Sequence, residues 1–374
     1  MLTEEERKYL DDKYALRQKC GGNALLGSVM RYFRKSRSIL DPGDAFSIFE
    51  TNELVQIWLQ TPACRFSQEG KCTVCNYWAG RKVPGLVERM KRTICIPEGT
   101  NTILINTCGS CLDPQELMID EQNQLFKWLN KQPAEDIILE THMFTLSEDT
   151  VRRVRDLLPD KNLFFEIGQE SINGDVQFYS LNKSLPERGV DTVINRIHRY
   201  GAKSIVNVIL GAPFLNREEQ IRDAVESIIG LLQKGTDYIM LFPVNIKPDT
   251  LVSYLYNAGI YSLIDGGMIA RVMDELPEKY LSRVGIAWYG EHQETGVLPP
   301  DIPDVDRLEF NATIAAYNSS CCMEDRKRLV KALMDKEKKW KPGRKKENEN
   351  RCFVERLDRG YQMLCEKILN NKGN

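Results

Sequence analysis

Between residues 54 and 243, short runs of apolar and β-branched residues alternate with amphipathic stretches of helical periodicity. The runs predicted to be strands cover residues 54–61, 102–107, 136–141, 162–168, 204–210 and 237–243. The helices predicted between them cover residues 86–91, 114–131, 148–158, 186–200 and 217–234. Strands that alternate with helices of this length form βαβ units and a parallel sheet. The pattern predicts an α/β fold, either a full or partial barrel or an open doubly wound sheet, with functional groups at the C-terminal ends of the strands.

Three of the predicted helices begin with capping signals. Asp113, the proline after it and Glu116 predict an N-cap, a proline at the first helical position and a capping box. Asn216 with Glu219 predicts a second capping box. Ser147, which two acidic residues follow, predicts a third helix start.

The segments outside this alternation follow other patterns. Two helices are predicted before a Pro/Gly break, at residues 3–19 and 23–37. A proline-rich linker is predicted at 299–303, one strand at 306–317, and two long charged helices at 323–340 and 352–369. We therefore predict an N-terminal helical extension (1–45), a barrel domain (46–290) and a mainly helical C-terminal appendage (291–374).

Charge and hydropathy limit the classes of partner and the compartment. The formal net charge is -2, so no global basic field indicates nucleic acid or an anionic membrane, although a local basic patch can still bind RNA. The N-terminal stretch has no apolar signal-peptide core, and no run of ~18 apolar residues predicts a transmembrane helix. We therefore expect a cytoplasmic protein without a membrane partner, in which clustered cysteines act as metal ligands or catalysts.

Three cysteines lie close together in the loop after the first predicted strand. Cys64, Cys72 and Cys75 fall within one stretch of twelve residues. Three thiolates suit a 4Fe-4S cluster with one iron left open, which can bind S-adenosylmethionine and cleave it reductively to a 5′-deoxyadenosyl radical. One alternative is a structural zinc site, in which the Cys-x-x-Cys pair at 108–111 joins Cys72 and Cys75. The other is a set of thiols with no ligand role.

Glycines and polar residues follow the next predicted strands, at the edge where a barrel carries its site. The residues predicted to contact a cofactor are Gly109, Ser110, Glu140, Glu170, Ser171, Asn207 and Gly211. Glu140 and Glu170 suit the ribose hydroxyls and the amine of S-adenosylmethionine, with a structural salt bridge as the alternative. His142, Asn245 and Lys247 are predicted on the substrate side, although a lone histidine is more often structural.

Five motifs occur in the order and spacing of a known family. They are the cysteine loop, Gly109-Ser-Cys-Leu-Asp113, Gly168-Gln-Glu-Ser171, Ser180-Leu-Asn-Lys183, and Pro243-Val-Asn245 with Thr250-Leu-Val-Ser-Tyr-Leu255. Through them, residues 45–290 resemble the archaeosine-biosynthesis radical S-adenosylmethionine (radical SAM) family (RaSEA), in the group of the elongator catalytic subunit, MiaB and NifB. The resemblance implies a partial (β/α)6 TIM-type radical SAM barrel with N-terminal helices and a C-terminal appendage.

The resemblance also implies a substrate and partners. In that family, the radical cleaves a lysine-modified 7-deazaguanine in tRNA and leaves an amidine. It implies that Cys64, Cys72 and Cys75 hold the cluster, and it places Asn182, Lys183 and Asn245 in the substrate half. It further implies tRNA and an electron donor of the flavodoxin or ferredoxin type as partners. The alternative substrates are another tRNA base, a small molecule or a peptide. The alternative function is that of a non-catalytic metal-binding barrel.

The C-terminal segment carries two further features. Residues 336–346 contain seven Lys or Arg together with Trp340, a composition that suits RNA binding or a solvated loop. A second metal site is an open alternative, although its four candidate thiols have no Cys-x-x-Cys spacing. These thiols are Cys321, Cys322, Cys352 and Cys365.

Overall fold

The computed structural model describes residues 1–16, 22–35, 45–51, 53–78, 80–183, 185, 187–288, 297–337 and 351–370. In these ranges the strands form an eight-stranded sheet in sequence order. They are β1 (Phe46–Glu50), β2 (Leu54–Leu59), β3 (Thr102–Thr107), β4 (Asp136–Thr141), β5 (Asn162–Glu170), β6 (Lys203–Leu210), β7 (Tyr238–Pro243) and β8 (Val284–Ile286). Strand β1 is antiparallel to β2, and every later pair is parallel. This order confirms the predicted α/β class and an open, partial barrel.

The two edge strands were not predicted from the sequence. Strand β1 has a largely exposed pattern, so it lacks the apolar alternation that marks a half-buried strand. Strand β8 is three residues long, which is too short for any periodicity to show. The six predicted strands correspond to β2–β7 and are confirmed.

Helices connect the strands and continue at both ends of the described chain. They are α1 (Glu4–Tyr14), α2 (Ala24–Lys35), α3 (Arg65–Gln68), α4 (Leu86–Thr93), α5 (Ile119–Leu129), α6 (Glu148–Leu157), α7 (Glu187–Arg199), α8 (Arg217–Gln233), α9 (Leu251–Asn257), α10 (Gly266–Glu275), α11 (Glu278–Leu281), α12 (Asp304–Ser319), α13 (Met323–Glu337) and α14 (Phe353–Asn370). A π-helical turn, Val176–Leu181, follows β5. None of the helices in the described ranges has the length and apolar character that a bilayer-spanning segment requires.

Two of the sequence predictions were wrong. The strand predicted at 306–317 is part of α12, whose buried residues Phe310, Ile314 and Tyr317 have helical spacing. The helix predicted from residue 114 begins at Ile119, because residues 113–117 form a separate turn in which the Asp113 carbonyl accepts from the Glu116 and Leu117 amides. The caps at Ser147 and Asn216 are confirmed.

Two apolar clusters fill the interior. The larger one lies between the sheet and the helices around it. The second cluster joins residues that follow β5, β6 and β7 to apolar side chains of α1, α2 and α14. Both ends of the described chain therefore pack near the C-terminal ends of these strands. The division of the chain at residues 45/46 and 290/291 stays a prediction.

Candidate metal and cofactor site

The loop that carries the three cysteines turns back on itself after β2. Gly70 has a φ of 82°, and a side chain there would lie 2.6 Å from the carbonyl oxygen of Gly27 on α2. Cys72 also has a positive φ, 60°, a conformation that costs an ordinary residue energy. The Cys75 amide donates to the Cys72 carbonyl at 3.1 Å. This turn returns the last two cysteines towards Cys64.

Thr73 anchors the loop to the strand ends opposite it. Its amide donates to the Leu181 carbonyl at 3.2 Å, and its hydroxyl donates to the Ser180 carbonyl at 2.8 Å. Its own carbonyl accepts from the Leu251 amide at 3.0 Å. Segments after β5 and β7 thus hold the loop between Cys72 and Cys75.

The three thiols lie near enough to influence one another electrostatically. Burial raises the pKa of Cys64 well above its usual range, and the neighbouring thiols Cys72 and Cys75 raise it further. Burial also raises the pKa of Cys72 to about 11, although the Lys183 ammonium opposes the rise. Because a bound metal stabilises thiolates, the burial that disfavours the negative forms of Cys64 and Cys72 fits a cationic group bound at these thiols.

Gly109, at the end of β3, lies directly against Cys64. A Cβ at this position would lie 2.9 Å from Cys64 Sγ, 2.8 Å from its Cβ, and 2.5 Å from Glu116 Oε1. Real Cβ atoms do not approach other atoms so closely, so the site has room for glycine alone. The structure thus places Gly109 against Cys64, and the cofactor contact predicted for this glycine stays a prediction.

Glu116 is a residue of this site that the sequence analysis assigned to a helix cap. Its carboxylate accepts from the Ser110 amide at 3.1 Å and from the Thr61 hydroxyl at 3.1 Å. Burial raises the pKa of Glu116 to about 7. No local pattern distinguishes this inward-facing acid from a capping glutamate, which is why the sequence analysis missed its position.

Cys64, Glu116 and His142 form a compact group. Their ligand atoms all lie within 4.8 Å of one another, and Cys64 Sγ is 3.4 Å from His142 Nε2. Burial lowers the pKa of His142 to about 3, and the nearby Lys183 adds to this effect. The imidazole is therefore neutral and able to bind a metal. His142 was predicted on the substrate side, and the structure places it beside Cys64.

Two predicted contact residues use their polar groups within the protein. The hydroxyl of Ser110 is 2.5 Å from Thr141 Oγ1, and the hydroxyl of Ser171 donates to Asp223 at 2.9 Å. Both serines are fully buried. A direct cofactor contact by either side chain stays a prediction, and these bonds give both residues a positioning role.

A belt of polar side chains crosses β2, β3, β4 and β5. Gln56 donates to Asn106 Oδ1 at 2.7 Å, and Asn106 in turn donates to the Glu140 carboxylate. Glu140 is in register with Glu166 on the next strand. Burial, and then the Glu140 carboxylate, raise the pKa of Glu166 to about 8. Glu140 was predicted as a site residue, whereas its three neighbours on the belt were not.

The belt ends on β6 at Asn207. Its side chain hydrogen-bonds Glu166 and thereby opposes the rise in that pKa. Its Oδ1 is buried and has no hydrogen-bond partner among the described residues. A buried acceptor without a donor is unfavourable, so this atom is suited to a ligand group that donates a hydrogen bond. Asn207 was predicted to contact a cofactor.

Glu170 and Lys183 form an ion pair near the thiols. Both side chains are largely buried, with 18% and 6% of their surfaces exposed. Lys183 keeps its charge, because Glu170, Cys72 and Cys64 together outweigh burial and raise its pKa. A Cβ at Gly168 would lie 2.5 Å from Glu170 Oε1, so the pair fills the space at the end of β5.

The remaining predicted residues lie on neighbouring strand ends. Asn182 is buried, accepts from the Asn23 amide at 2.7 Å and donates to the Gly70 carbonyl at 3.0 Å, so it braces the cysteine loop. Lys247 Nζ lies 3.1 Å from the Tyr77 hydroxyl. Asn245 is half-buried just after β7.

Gly211 ends β6 in a conformation that requires glycine. Its φ is 123°, and its carbonyl accepts from the Tyr261 hydroxyl at 2.7 Å. A Cβ there would lie 2.7 Å from that hydroxyl. Gly211 is therefore enclosed by Tyr261, and its predicted cofactor contact stays a prediction.

The other thiols do not converge in the part of the chain that the structure describes. Cys72 and Cys75 do not form a group of metal-binding separation with the pair at 108–111, so the four-thiol zinc site is not supported. The four thiols of the C-terminal segment form no such group in these ranges either. Most of the basic run at 336–346, including Trp340, lies outside the described residues.

Comparison with known proteins gives relatives of moderate identity. The chain is 28% identical over 200 residues to "Archaeosine synthase subunit beta" of Thermococcus kodakarensis. The aligned region covers 51% of this chain and 60% of that protein. It is 25% identical over 222 residues to a protein of the same name from Methanosarcina acetivorans, covering 57% and 63%. The chain thus spans about three fifths of the length of these relatives. They confirm the resemblance to archaeosine-biosynthesis proteins. No protein-family model matches the chain.

Solved structures give weaker similarities. HydG, a maturase of the [FeFe]-hydrogenase, has a TM-score of 0.48 and 11% identity, covering 85% of this chain and 67% of that one. Elp3 from the archaeon Methanocaldococcus infernus has a TM-score of 0.41 and 12% identity, covering 67% and 57%. At these TM-scores the similarity carries no weight for function.

Proposed function

We propose that the chain is a radical SAM enzyme that holds a 4Fe-4S cluster on Cys64, Cys72 and Cys75. The observation that supports this most directly is the fold of the cysteine loop at the C-terminal ends of the strands, where the Cys64 amide donates to the Tyr77 carbonyl at 3.0 Å and the Tyr77 amide donates to Cys75 Sγ at 3.4 Å. A cube held at three corners has its thiolates farther apart than ligands of a single ion, and it leaves one iron open. The glycine at position 109 leaves space beside Cys64 on the side of β3.

The bound group would supply chemistry that the side chains cannot. A reduced cluster with S-adenosylmethionine on its open iron supplies one electron, which splits the sulfonium into methionine and a 5′-deoxyadenosyl radical that abstracts hydrogen. The chain's own residues bind and orient the cofactor. Asn207 Oδ1 offers a buried acceptor to a donor group, and Glu140 and Glu170 offer carboxylates for hydroxyl or ammonium groups.

The proposed substrate is a 7-deazaguanine-type nucleoside of tRNA. The name shared by the two relatives, archaeosine synthase subunit beta, supports a tRNA nucleoside over a small molecule or a peptide. Asn245 and Lys247 lie after β7, where the substrate is proposed to enter. A flavodoxin- or ferredoxin-type protein is the proposed electron donor. Salt-dependent binding of tRNA, with a slope set by the number of phosphates contacted, tests this substrate class.

Anaerobic reconstitution with iron and sulfide tests the cluster and the reaction together. Dithionite and S-adenosylmethionine are then added, and 5′-deoxyadenosine is measured. We expect four irons per chain and product from the wild type, and neither from the Cys64/Cys72/Cys75→Ala variant. The matched control replaces Cys95, Cys321 and Cys322, which are exposed, by alanine. The proposal would be wrong if only the control lost its iron, or if the Cys64/Cys72/Cys75→Ala variant formed 5′-deoxyadenosine.

A second candidate function is a non-catalytic protein with a single metal ion. The group formed by Cys64, Glu116 and His142 favours it, because zinc accepts such ligands. This candidate predicts one zinc per chain that survives the Cys72/Cys75→Ala substitution and is lost in His142→Ala. The cluster proposal predicts that the Cys72/Cys75→Ala variant loses its metal. Metal analysis of this variant and of His142→Ala therefore separates the two candidates.

A further inference from the structure

We propose that Arg34 on α2 is a positioning residue of the cluster, donating N–H hydrogen bonds to sulfur atoms of the cluster and its cysteines. This inference deepens the proposed function and depends on it. If it is correct, helix α2 is a part of the metal site. This helix lies before residues 45–290, which carry the motifs of the family resemblance.

Arg34 is buried with hydrogen-bond donors that have no acceptor. Only 8% of its surface is exposed. One nitrogen, Nη2, donates to the Lys71 carbonyl at 3.3 Å, while Nε and Nη1 have no partner among the described residues. A guanidinium is charged at every physiological pH and carries five N–H donors. Burying such a group without acceptors is unfavourable, so a chain that does so is expected to place a ligand against it.

The Arg34 guanidinium lies against the cysteine loop, one residue before Cys72. Burial lowers the pKa of Arg34, and ionised Cys75, Cys72 and Cys64 would oppose that lowering. The bond to Lys71 fixes the guanidinium at the residue that precedes Cys72. The remaining donors therefore belong to the same space as the thiolates that would hold the cluster.

The two cations near the thiols differ in what they pair with. Lys183 keeps its charge, which the paired Glu170 carboxylate balances. Arg34 has no carboxylate in ion-pair range among the described residues. Among the described residues, no carboxylate therefore balances the Arg34 charge, and a negatively charged cluster would do so. The carboxylate of S-adenosylmethionine is the competing acceptor, and it is separated by measuring the cluster in the absence of that cofactor.

A positive charge and N–H···S bonds favour the more negative, reduced state of an iron–sulfur cluster. Hydrogen bonds to the sulfurs and local charge are among the factors that set cluster potentials. Removing the Arg34 side-chain charge is therefore expected to make reduction harder. Replacing arginine by lysine keeps the charge but removes the planar fork, so it should recover part of the effect.

The test is an EPR-monitored redox titration of the reconstituted full chain without S-adenosylmethionine. We expect Arg34→Met to disfavour reduction at least tenfold, a shift of 59 mV for a one-electron couple, with Arg34→Lys in between. The matched control is Arg31→Met, one turn earlier on α2, where the exposed guanidinium donates to the Glu69 carbonyl and Ser28. This control should keep the wild-type midpoint.

A second measurement covers the case in which Arg34→Met holds no cluster. Pulsed EPR on protein labelled with ¹⁵N-arginine should show nitrogen coupling to the reduced cluster, retained in Arg31→Met and lost in Arg34→Lys. An unchanged midpoint without nitrogen coupling would overturn the inference while leaving the proposed function intact. Unchanged midpoints with weaker S-adenosylmethionine binding would overturn it in favour of the cofactor carboxylate. A wild type without any cluster would overturn both.

Discussion

Gly109 occupies a position in which the site leaves no room for a side chain. Gly109→Ala would place a methyl group 2.9 Å from Cys64 Sγ and 2.5 Å from Glu116 Oε1, so Cys64 must move. We expect a loss of stability of ~1–3 kcal/mol, typical of overpacking, and at least a halving of the iron bound after reconstitution. Gly174→Ala is the control, because nothing lies within 4 Å of its added Cβ. Equal iron content in both variants would contradict the expectation.

Glu166 should make the stability of the protein depend on pH. Burial raises its pKa from 4.5 to about 8, so between these values the folded chain holds a proton that the unfolded chain has lost. The stabilisation is complete below the unfolded pKa and is lost as the pH rises through the folded pKa. Urea unfolding at pH 5.5 and 8 should show a smaller decline for Glu166→Gln than for the wild type, by at most ~1.4 kcal/mol per pH unit. Parallel declines would show that Glu166 does not cause the effect.

The buried pair of Glu170 and Lys183 gives a prediction with its own control. Lys183→Met leaves the Glu170 carboxylate buried without its partner, which should cost ~3–5 kcal/mol in urea unfolding. The double variant Lys183→Met/Glu170→Gln removes both charges and should recover most of that loss. If the double variant is as unstable as the single one, the loss comes from packing and not from the unpaired charge.

The residues that the sequence analysis identified share one property, which is that their signal is local. Cys64, Cys72 and Cys75 are recognisable because they are neighbours in one loop. Arg34 and Glu116 were missed because nothing near them in the sequence shows that Arg34 reaches the cysteine loop or that Glu116 reaches Cys64. Such relations arise from tertiary packing, and an isolated Arg or Glu on a helical pattern usually indicates a solvated face.

At the scale of elements, the cap of α8 gives a prediction of moderate size. Asn216 Oδ1 accepts from the Glu219 amide at 2.9 Å, and Glu219 accepts from the Asn216 amide at 2.9 Å. Asn216→Ala should cost ~1 kcal/mol in urea unfolding, whereas Asn216→Gly should cost less than Asn216→Ala, because glycine is tolerated at an N-cap. The slope of the transition should stay constant. A larger loss for glycine than for alanine would contradict the capping role.

The elements that were predicted correctly are those with a repeated local period. Strands β2–β7 and their helices follow from the alternation of patterns and from caps such as Asn216. The start of α5 was misplaced because Asp113 closes a separate turn at residues 113–117, where it also pairs with Arg65 across the site. The segment of α12 was predicted as a strand, although Phe310, Ile314 and Tyr317 already have helical spacing. The error at α12 came from choosing the period of a strand over that of a helix. The error at α5 came from tertiary structure.

At the scale of the whole molecule, the two ends of the described chain meet over the C-terminal ends of the strands. Helix α14 packs against α1 and α2, and Arg356 on α14 pairs with Glu219 at the start of α8. The apolar faces of these helices show in the sequence, but their docking partners do not. This arrangement places the C-terminal helix against α2, whose Arg34 contacts the cysteine loop at Lys71.

Tyr361 on α14 is the polar centre of that contact, and its hydroxyl should affect both folding and the metal. It donates to the Tyr179 carbonyl at 2.6 Å and accepts from Asn23 Nδ2 at 3.0 Å. Asn23 in turn accepts from the Leu26 amide at 3.1 Å and so caps α2.

Tyr361→Phe leaves the Tyr179 carbonyl and the Asn23 amide buried with a lost partner, which should cost ~1–3 kcal/mol in urea unfolding. Because Asn23 then holds α2 less firmly, we also expect the reconstituted cluster to lose iron to a chelator several-fold faster. Tyr9→Phe is the matched control, since it also removes one tyrosine hydroxyl at α14, an exposed one that bonds Asp358 from α1. That bond is open to water and should contribute little. Equal rates of iron loss in the two variants would mean that α14 stabilises the fold without shielding the metal site.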